Sequence, residues 1–144
     1  MKFIYSLVIP CYNEEKNIDL LIEGCKEILD SRDSELILIN NGSLDSTSKK
    51  IDEYLPKYKN LKKIEIKINK GFGNGVYHGI KKANGIVVGY THADLQTDPK
   101  DFTKAIKLIK KNNLQNKNFL IKGRRINRSF FDRLFTHLMS IFET

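Results

Sequence analysis

The sequence predicts an α/β fold: a mainly parallel sheet with helices on both faces. Two observations carry this. Short apolar runs alternate with helix-like periodicities along the chain, and regular β-α alternation builds parallel sheets through crossover helices. A length of 144 residues, 40% of them hydrophobic and 29% charged, suits one core and one ordered domain.

The elements follow in order. Residues 3–9 (FIYSLVI) read as a buried strand. Asn13 is then expected to cap a helix, with Glu14 and Glu15 in its first turn, where carboxylates suit the helix dipole. Ile18, Leu21, Ile22, Cys25, Ile28 and Leu29 recur on that helix with a 3.6-residue period. Residues 35–39 (ELILI) form a second strand, and a helix over about 45–55 stops near Pro56. Residues 62–68 (KKIEIKI) alternate strictly, so the third strand has one wet face. The turn NKGFGNG leads to a helix with Val76, Ile80 and Ala83 on one side. Residues 86–90 give a fourth strand. Asp98 and Pro99 then read as the cap and first position of a helix carrying Phe102, Ala105, Ile106 and Ile109. A fifth strand is expected at 119–122, and an amphipathic helix at about 129–143.

Composition narrows the function classes. A net charge of +8 favours anionic partners such as nucleotides and phospholipid headgroups. The basic residues are scattered rather than blocked into an arm, so nucleic acid is not expected as a partner. Cys11 and Cys25 make neither a CxxC nor a zinc spacing, as in a reduced, cytosolic protein. The N-terminal apolar run is too short for a signal peptide, and no run reaches the roughly 18 apolar residues of a membrane span. The expected location is the cytoplasm, or the inner face of the membrane as a peripheral protein.

Open parallel sheets bind ligands at the carboxyl ends of their strands. That rule puts PCYNEE, NNGS, NKGFGNG and THADLQ on one rim, where the polar chemistry is concentrated. The glycines at 71, 73 and 75 let a backbone approach a phosphate, but residue 76 is valine, so the GxGxxG dinucleotide fingerprint is absent. No GxxxxGK[ST] phosphate loop occurs either. In THADLQTDP, an extended backbone would put His92, Asp94 and Gln96 on one side, able to converge on a cation. Such donors suit Mg2+ or Mn2+, and the imidazole tilts the choice towards Mn2+. The alternative is purely structural: Asp98 caps a helix, Asp94 orders a turn and His92 is a satisfied imidazole.

The ordered set IPCYNEE, LILINNGSLDST, NKGFGNGVYHGIKKANG and HADLQTDP resembles the family 2 glycosyltransferases of GT-A fold. Within them it is most similar to the polyprenyl-phosphate branch, the dolichyl-phosphate mannose synthase-like enzymes. The resemblance covers residues 4 to about 128. It implies a nucleotide-sugar-binding domain over 1–128 that lacks the C-terminal part of the fold, followed by the helix within 129–144. It also implies transfer of a sugar, with inversion, from a UDP- or GDP-sugar to an acceptor such as a polyprenyl phosphate.

Site roles follow from the same resemblance. Pro10, Tyr12 and Glu14 would line the base and ribose pocket, with Ile39 and Asn41 against the base. His92, Ala93 and Asp94 stand in the family's DxD-type metal motif, where His92, Asp94 and Gln96 would be the metal ligands. Asp94 and Arg125 would support catalysis, Arg125 by meeting the donor phosphates. Two positions depart from the family: Asn41 and His92 each stand where an aspartate is usual. The first alters how the base is read; the second removes a negative charge from the metal site and biases it towards Mn2+. No residue stands out as a general base, which a phosphate acceptor does not need.

Near the chain end, Phe130, Phe131, Leu134, Phe135, Leu138, Met139, Ile141 and Phe142 form one apolar face of the last expected helix, just after Arg124, Arg125 and Arg128. An anionic membrane surface suits that face; so does packing on the sheet or in a homodimer. Two other function classes bear on this sequence. One is a non-catalytic nucleotide-binding module. The other, a sugar nucleotidyltransferase, needs a glycine-rich, lysine-bearing loop after its first strand, and PCYNEE is not one.

Overall fold

The computed structural model describes residues 3–114 and 117–123. Four strands form one sheet: β1 (Tyr5–Cys11), β2 (Ser34–Asn41), β3 (Leu61–Ile66) and β4 (Val87–Tyr90). All pair in parallel, in the order β3-β2-β1-β4. Every residue of β1 and β2 is buried, which is why both read as continuous apolar runs. Five helices accompany them: α1 (Ile18–Gly24), α2 (Lys26–Leu29), α3 (Thr47–Asp52), α4 (Phe72–Lys82) and α5 (Lys100–Lys111).

The pleat sorts the core into two layers. Leu7, Ile9, Leu36 and Leu38 face a cluster with Ile18, Leu21, Ile22, Ile28 and Ile51 from α1, α2 and α3. Tyr5 continues that face to Ile106 and Ile109 of α5. The opposite face presents Val8, Ile37 and Ile39 to Ile64, Ile66 and Ala83. There α4 packs so closely that a Cβ on Gly79 would lie 2.3 Å from Val8 Cγ1. Because α4 covers β1 and β2, the same face at β4 is open among the described residues: Ile86, just before the strand, and Val88 and Tyr90 within it are 65%, 36% and 59% exposed.

At the amino end of the sheet a carboxylate is buried. Glu35 Oε1 accepts hydrogen bonds from Ser6 Oγ at 2.7 Å and Asn84 N–H at 2.6 Å, and Lys62 Nζ lies 2.7 Å from Oε2. Gly85 N–H donates to Ser6 Oγ at 2.8 Å. The network ties the approach to β4 onto β1 and β2.

Four expectations are corrected. Asn13 caps no helix: it has φ 56°, its Oδ1 accepts from Leu44 N–H at 2.9 Å, and the helix begins only at Ile18. The side chain expected to cap is engaged by the loop after β2. The single helix expected through Leu29 is broken at Cys25, which sits at φ −90°, ψ 6° between α1 and α2. The second expected helix is shorter, ending at Asp52 with turns beyond it. Residues 119–122 form no strand. Phe119 finds the α5-side cluster, but Leu120 is 91% exposed and no described strand pairs with the segment. Apolar content without a ladder partner does not make a strand. The helix expected at 129–143 lies outside the described residues, as does Arg125.

Candidate functional site

The chain lays down β1, β2 and β3 outward in one direction, then returns to place β4 on the other side of β1. The loops after β1 and β4 therefore part from each other, which opens a crevice at the carboxyl ends of the strands. A cleft of about 280 Å3 lies on that rim. Pro10 of β1 and Asn41 of β2 form part of its wall, and Tyr12 and Glu14 come from the loop after β1. Asn69, Gly71 and Phe72 enter from the start of α4, and His92, Ala93 and Asp94 from the loop after β4.

The loops are held to one another. Glu14 N–H donates to Thr47 Oγ1 at 2.8 Å, Asn13 N–H to Ser43 Oγ at 3.1 Å, and Ser46 N–H to Glu15 Oε2 at 2.9 Å. PCYNEE and NNGSLDST are thus one cross-linked rim. Gly42, at φ 73°, takes a left-handed conformation that suits glycine. A Cβ there would come within 2.5 Å of Asn69 N, so the loop after β2 also abuts the approach to α4.

Asn41 is 2% exposed. Its Nδ2 donates to Gly71 O at 3.1 Å and to Asn69 Oδ1 at 3.2 Å, while its Oδ1 has no partner among the described residues. Neighbouring Asn40 turns elsewhere, donating to Glu65 Oε2 at 2.6 Å. Tyr12 is 42% exposed at the cleft. Opposite, the His92 ring stacks on Phe72, centroids 4.0 Å apart and planes within 7°.

Residues 92–96 are not extended. Leu95 has φ 60°, and Asp94 Oδ1 accepts from Gln96 N–H at 3.1 Å, so the chain turns here. His92 and Asp94 share the cleft; Gln96 is exposed and does not line it. Ile39 is fully buried in the cluster under α4, below the cleft wall and not on it. Asp98 Oδ1 accepts from Lys100 N–H at 2.9 Å at the start of α5, but the cap position falls on Pro99, one residue later than expected, and the helix begins at Lys100.

The donor set available for a metal is small. Among the described residues no group of three or more His, Cys, Asp or Glu side chains is arranged to hold an ion. His92 and Asp94 supply one nitrogen and one carboxylate in the cleft. This fits a divalent cation whose remaining ligands are phosphate oxygens and water, the usual way such ions sit on one or two protein carboxylates. Glu14 is a second carboxylate on the same cleft.

Sequence reasoning did not single out Asn69 or Phe72 as site residues. Both lie in NKGFGNG, where only the glycines drew attention. An asparagine next to a glycine turn was the available signal for Asn69. The Phe72–His92 stack joins residues 20 apart in number, 72 and 92, and had no signal.

The chain is similar to known proteins along most of its length. The model for "Glycosyl transferase family 2" matches residues 6–134. A dolichyl-phosphate beta-glucosyltransferase of Trichomonas vaginalis is 32% identical over 127 residues, covering 83% of this chain and 39% of that protein. A dolichol-phosphate mannosyltransferase of Pyrococcus furiosus is 34% identical over 105 residues, covering 73% of this chain and 30% of that one. The chain therefore spans between 30% and 39% of the length of these two relatives. A mannosyltransferase of Pyrobaculum calidifontis, solved with GDP-Man and Mn2+, shares the fold at a TM-score of 0.64 and 21% identity, over 76% of this chain and 33% of its own. The four-stranded parallel sheet is that of a GT-A fold, and the chain belongs to glycosyl transferase family 2.

Proposed function

We propose that this chain binds a nucleotide-diphosphate sugar and contributes to transferring the sugar, with inversion, to a polyprenyl phosphate. One observation carries the reading: four sequence segments spread from Pro10 to Asp94 meet at one cleft on the carboxyl rim of the sheet. The relatives named as dolichyl- and dolichol-phosphate sugar transferases support the acceptor class.

The roles follow from chemistry. Tyr12 presents a ring at the cleft and Asn41 a buried amide, together suited to a base; Pro10, Glu14 and Ala93 shape the wall around it. His92 and Asp94 would hold a divalent cation, which supplies charge compensation for the diphosphate when bound. A neutral imidazole in place of a carboxylate weakens Mg2+ more than Mn2+, so Mn2+ is the favoured ion. The acceptor phosphate is already anionic, so its oxygen attacks the anomeric carbon without a general base. The bond from that carbon to the nucleotide diphosphate breaks, and the diphosphate leaves with the electron pair. Arg125, matched through the family resemblance, is assigned to the departing phosphates. Residues 129–144 are assigned to a separate interfacial helix. Among the described residues no helix is long and apolar enough to cross a membrane.

The test is thermal unfolding of the purified chain with UDP-, GDP- and CDP-sugars, with and without Mn2+. At least one donor is expected to raise the midpoint, and more so with Mn2+. No shift from any of them would sink the donor-site reading. Stabilisation without sugar transfer to a polyprenyl phosphate would instead mark the chain as a binding module. Binding to anionic vesicles at low salt, lost on removing residues 129–144, checks the interfacial helix.

A further inference from the structure

We propose that Glu35 and Ser6 are positioning residues. They pin the register of β4 by holding the backbone N–H groups of Asn84 and Gly85, and that register decides whether His92 and Asp94 reach the cleft. The cation-holding role of those two rests on the donor-site reading above; the register claim does not.

The ladder alone fixes β4 weakly. Among the described residues β4 pairs only with β1, from Tyr5↔Val87 to Val8↔Tyr90. A slip of two residues would restore such a ladder and keep the same side chains on each face. One face of β4 is open among the described residues, so burial there does not resist the slip. On the other face Gly89 lies under Phe102, where a Cβ would come within 2.4 Å of the ring. That ring is the half-buried end of a side chain, which can turn aside.

The start of β4 has no such freedom. Glu35 Oε1 accepts from Asn84 N–H at 2.6 Å, and Ser6 Oγ accepts from Gly85 N–H at 2.8 Å. Ser6 Oγ donates its own proton to Glu35 Oε1 at 2.7 Å, which leaves its lone pairs for Gly85. Two consecutive amides are thus gripped by side chains of β2 and β1, both fully buried. The seat of Gly85 is also close to backbone: a Cβ there would lie 2.7 Å from Ser6 N and from Tyr5 C. Glycine fits; Ala83, Asn84, Ile86 and Val87, the residues that a slip of one or two places would bring in, all carry a Cβ. A slip of two residues would carry His92 about 7 Å along the strand. Its ring is 4.0 Å from Phe72, so the stack and the shared cleft position would both be lost. A buried carboxylate is a costly way to fill space, and Lys62 Nζ, 2.7 Å from Oε2, offsets its charge. What Glu35 does that an apolar side chain does not is accept the Asn84 N–H.

The experiment reads the His92 ring by proton NMR at fixed pH. Stacked on Phe72, its ring protons are shifted by the phenyl ring current, and Phe72→Leu sets the unshifted reference. Glu35→Met keeps the volume and removes the acceptor. Glu35→Gln keeps an oxygen for Asn84, because Lys62 is partly exposed and can turn its ammonium to water. Ser6→Ala removes the acceptor for Gly85. The shift is expected to persist in Glu35→Gln and to be mostly lost in Glu35→Met and Ser6→Ala, while hydrogen exchange shows the β1–β2 ladder intact. Mn2+ titration in the presence of UDP should follow the same split, about tenfold or more weaker where the shift is lost. Glu35→Gln loses the Lys62 ion pair and with it stability, so a merely structural role would lower binding there too. A shift kept in Glu35→Met and Ser6→Ala would overturn the proposal, and so would a shift lost equally in Glu35→Gln. If Glu35→Met fails to fold, Ser6→Ala decides, since it deletes a single hydroxyl. A wild-type chain that shows the shift but binds neither UDP nor Mn2+ would defeat the donor-site reading and leave the register claim standing on its own readout.

Discussion

At the residue scale, His92 shows how a sequence departure is accommodated. Its ring lies flat on Phe72 at 4.0 Å, an apolar contact that an aspartate would not make. Restoring the carboxylate tests the cost of that exchange. His92→Asp should raise Mg2+ affinity in the presence of UDP by about tenfold or more and narrow the Mn2+ preference. Calorimetric titration of each metal reads this, and an unchanged Mn2+ to Mg2+ ratio would remove His92 from the ion's surroundings. The motif itself was legible in THADLQ; its turn was not. A positive φ at a leucine is uncommon, and nothing in the residue types announces that Leu95 has φ 60°. Gly79 was equally silent. Its missing side chain lets α4 seat on Val8, where a Cβ would meet Cγ1 at 2.3 Å. Gly79→Ala should therefore lower stability by about 1–3 kcal/mol in denaturant unfolding.

At the element scale, the two ends of the sheet have different tasks. The carboxyl end gathers loops, and Gly42 is the point where two of them touch. Gly42→Ala should cost about 1–2 kcal/mol for the left-handed conformation. It should also push the Asn69 backbone away and weaken UDP binding beyond what the stability loss explains. Titration at a temperature where the variant stays folded separates the two effects. The amino end holds Glu35. Burial pushes its carboxyl group's pKa up, but the Lys62 ammonium and the bonds from Asn84 N–H and Ser6 Oγ outweigh this and bring it below the ordinary value of 4.5. A depressed carboxylate adds stability that is fully present above its unfolded pKa and is lost as pH falls through the folded one. Thermal unfolding should thus show a falling midpoint below about pH 4.5, and Glu35→Gln should flatten that limb while lowering the midpoint at neutral pH. Strands β1 and β2 were readable because buried parallel strands are continuous apolar runs, and β3 was readable by its alternation. Helix boundaries were less so. Asn13 had the right chemistry for a cap, but the loop after β2 competed for its side chain and won.

At the scale of the whole molecule, the alternation of strands and helices sufficed to place the rim, and the rim sufficed to gather the motifs. What the sequence could not show was pairing across distance: which amide bonds which, and which aromatic ring meets which. Contacts such as Asn41 to Asn69 arise only when β2 and the approach to α4 come together. The strip of Ile86, Val88 and Tyr90 at β4, exposed among the described residues, bears on how the chain behaves in bulk. Apolar side chains on an edge strand invite pairing between copies. The chain's net charge of +8 opposes that approach. Salt shortens the range of the repulsion to about 10 Å at 0.1 M and about 3 Å at 1 M, and leaves the apolar attraction intact. Self-association should therefore rise with sodium chloride, visible as an increasing scattering mass, and Val88→Lys should suppress it. In that sense the basic charge acts as a colloidal stabiliser for the apolar strip exposed at β4 among the described residues, and buffers of low ionic strength are the ones in which this chain stays dispersed.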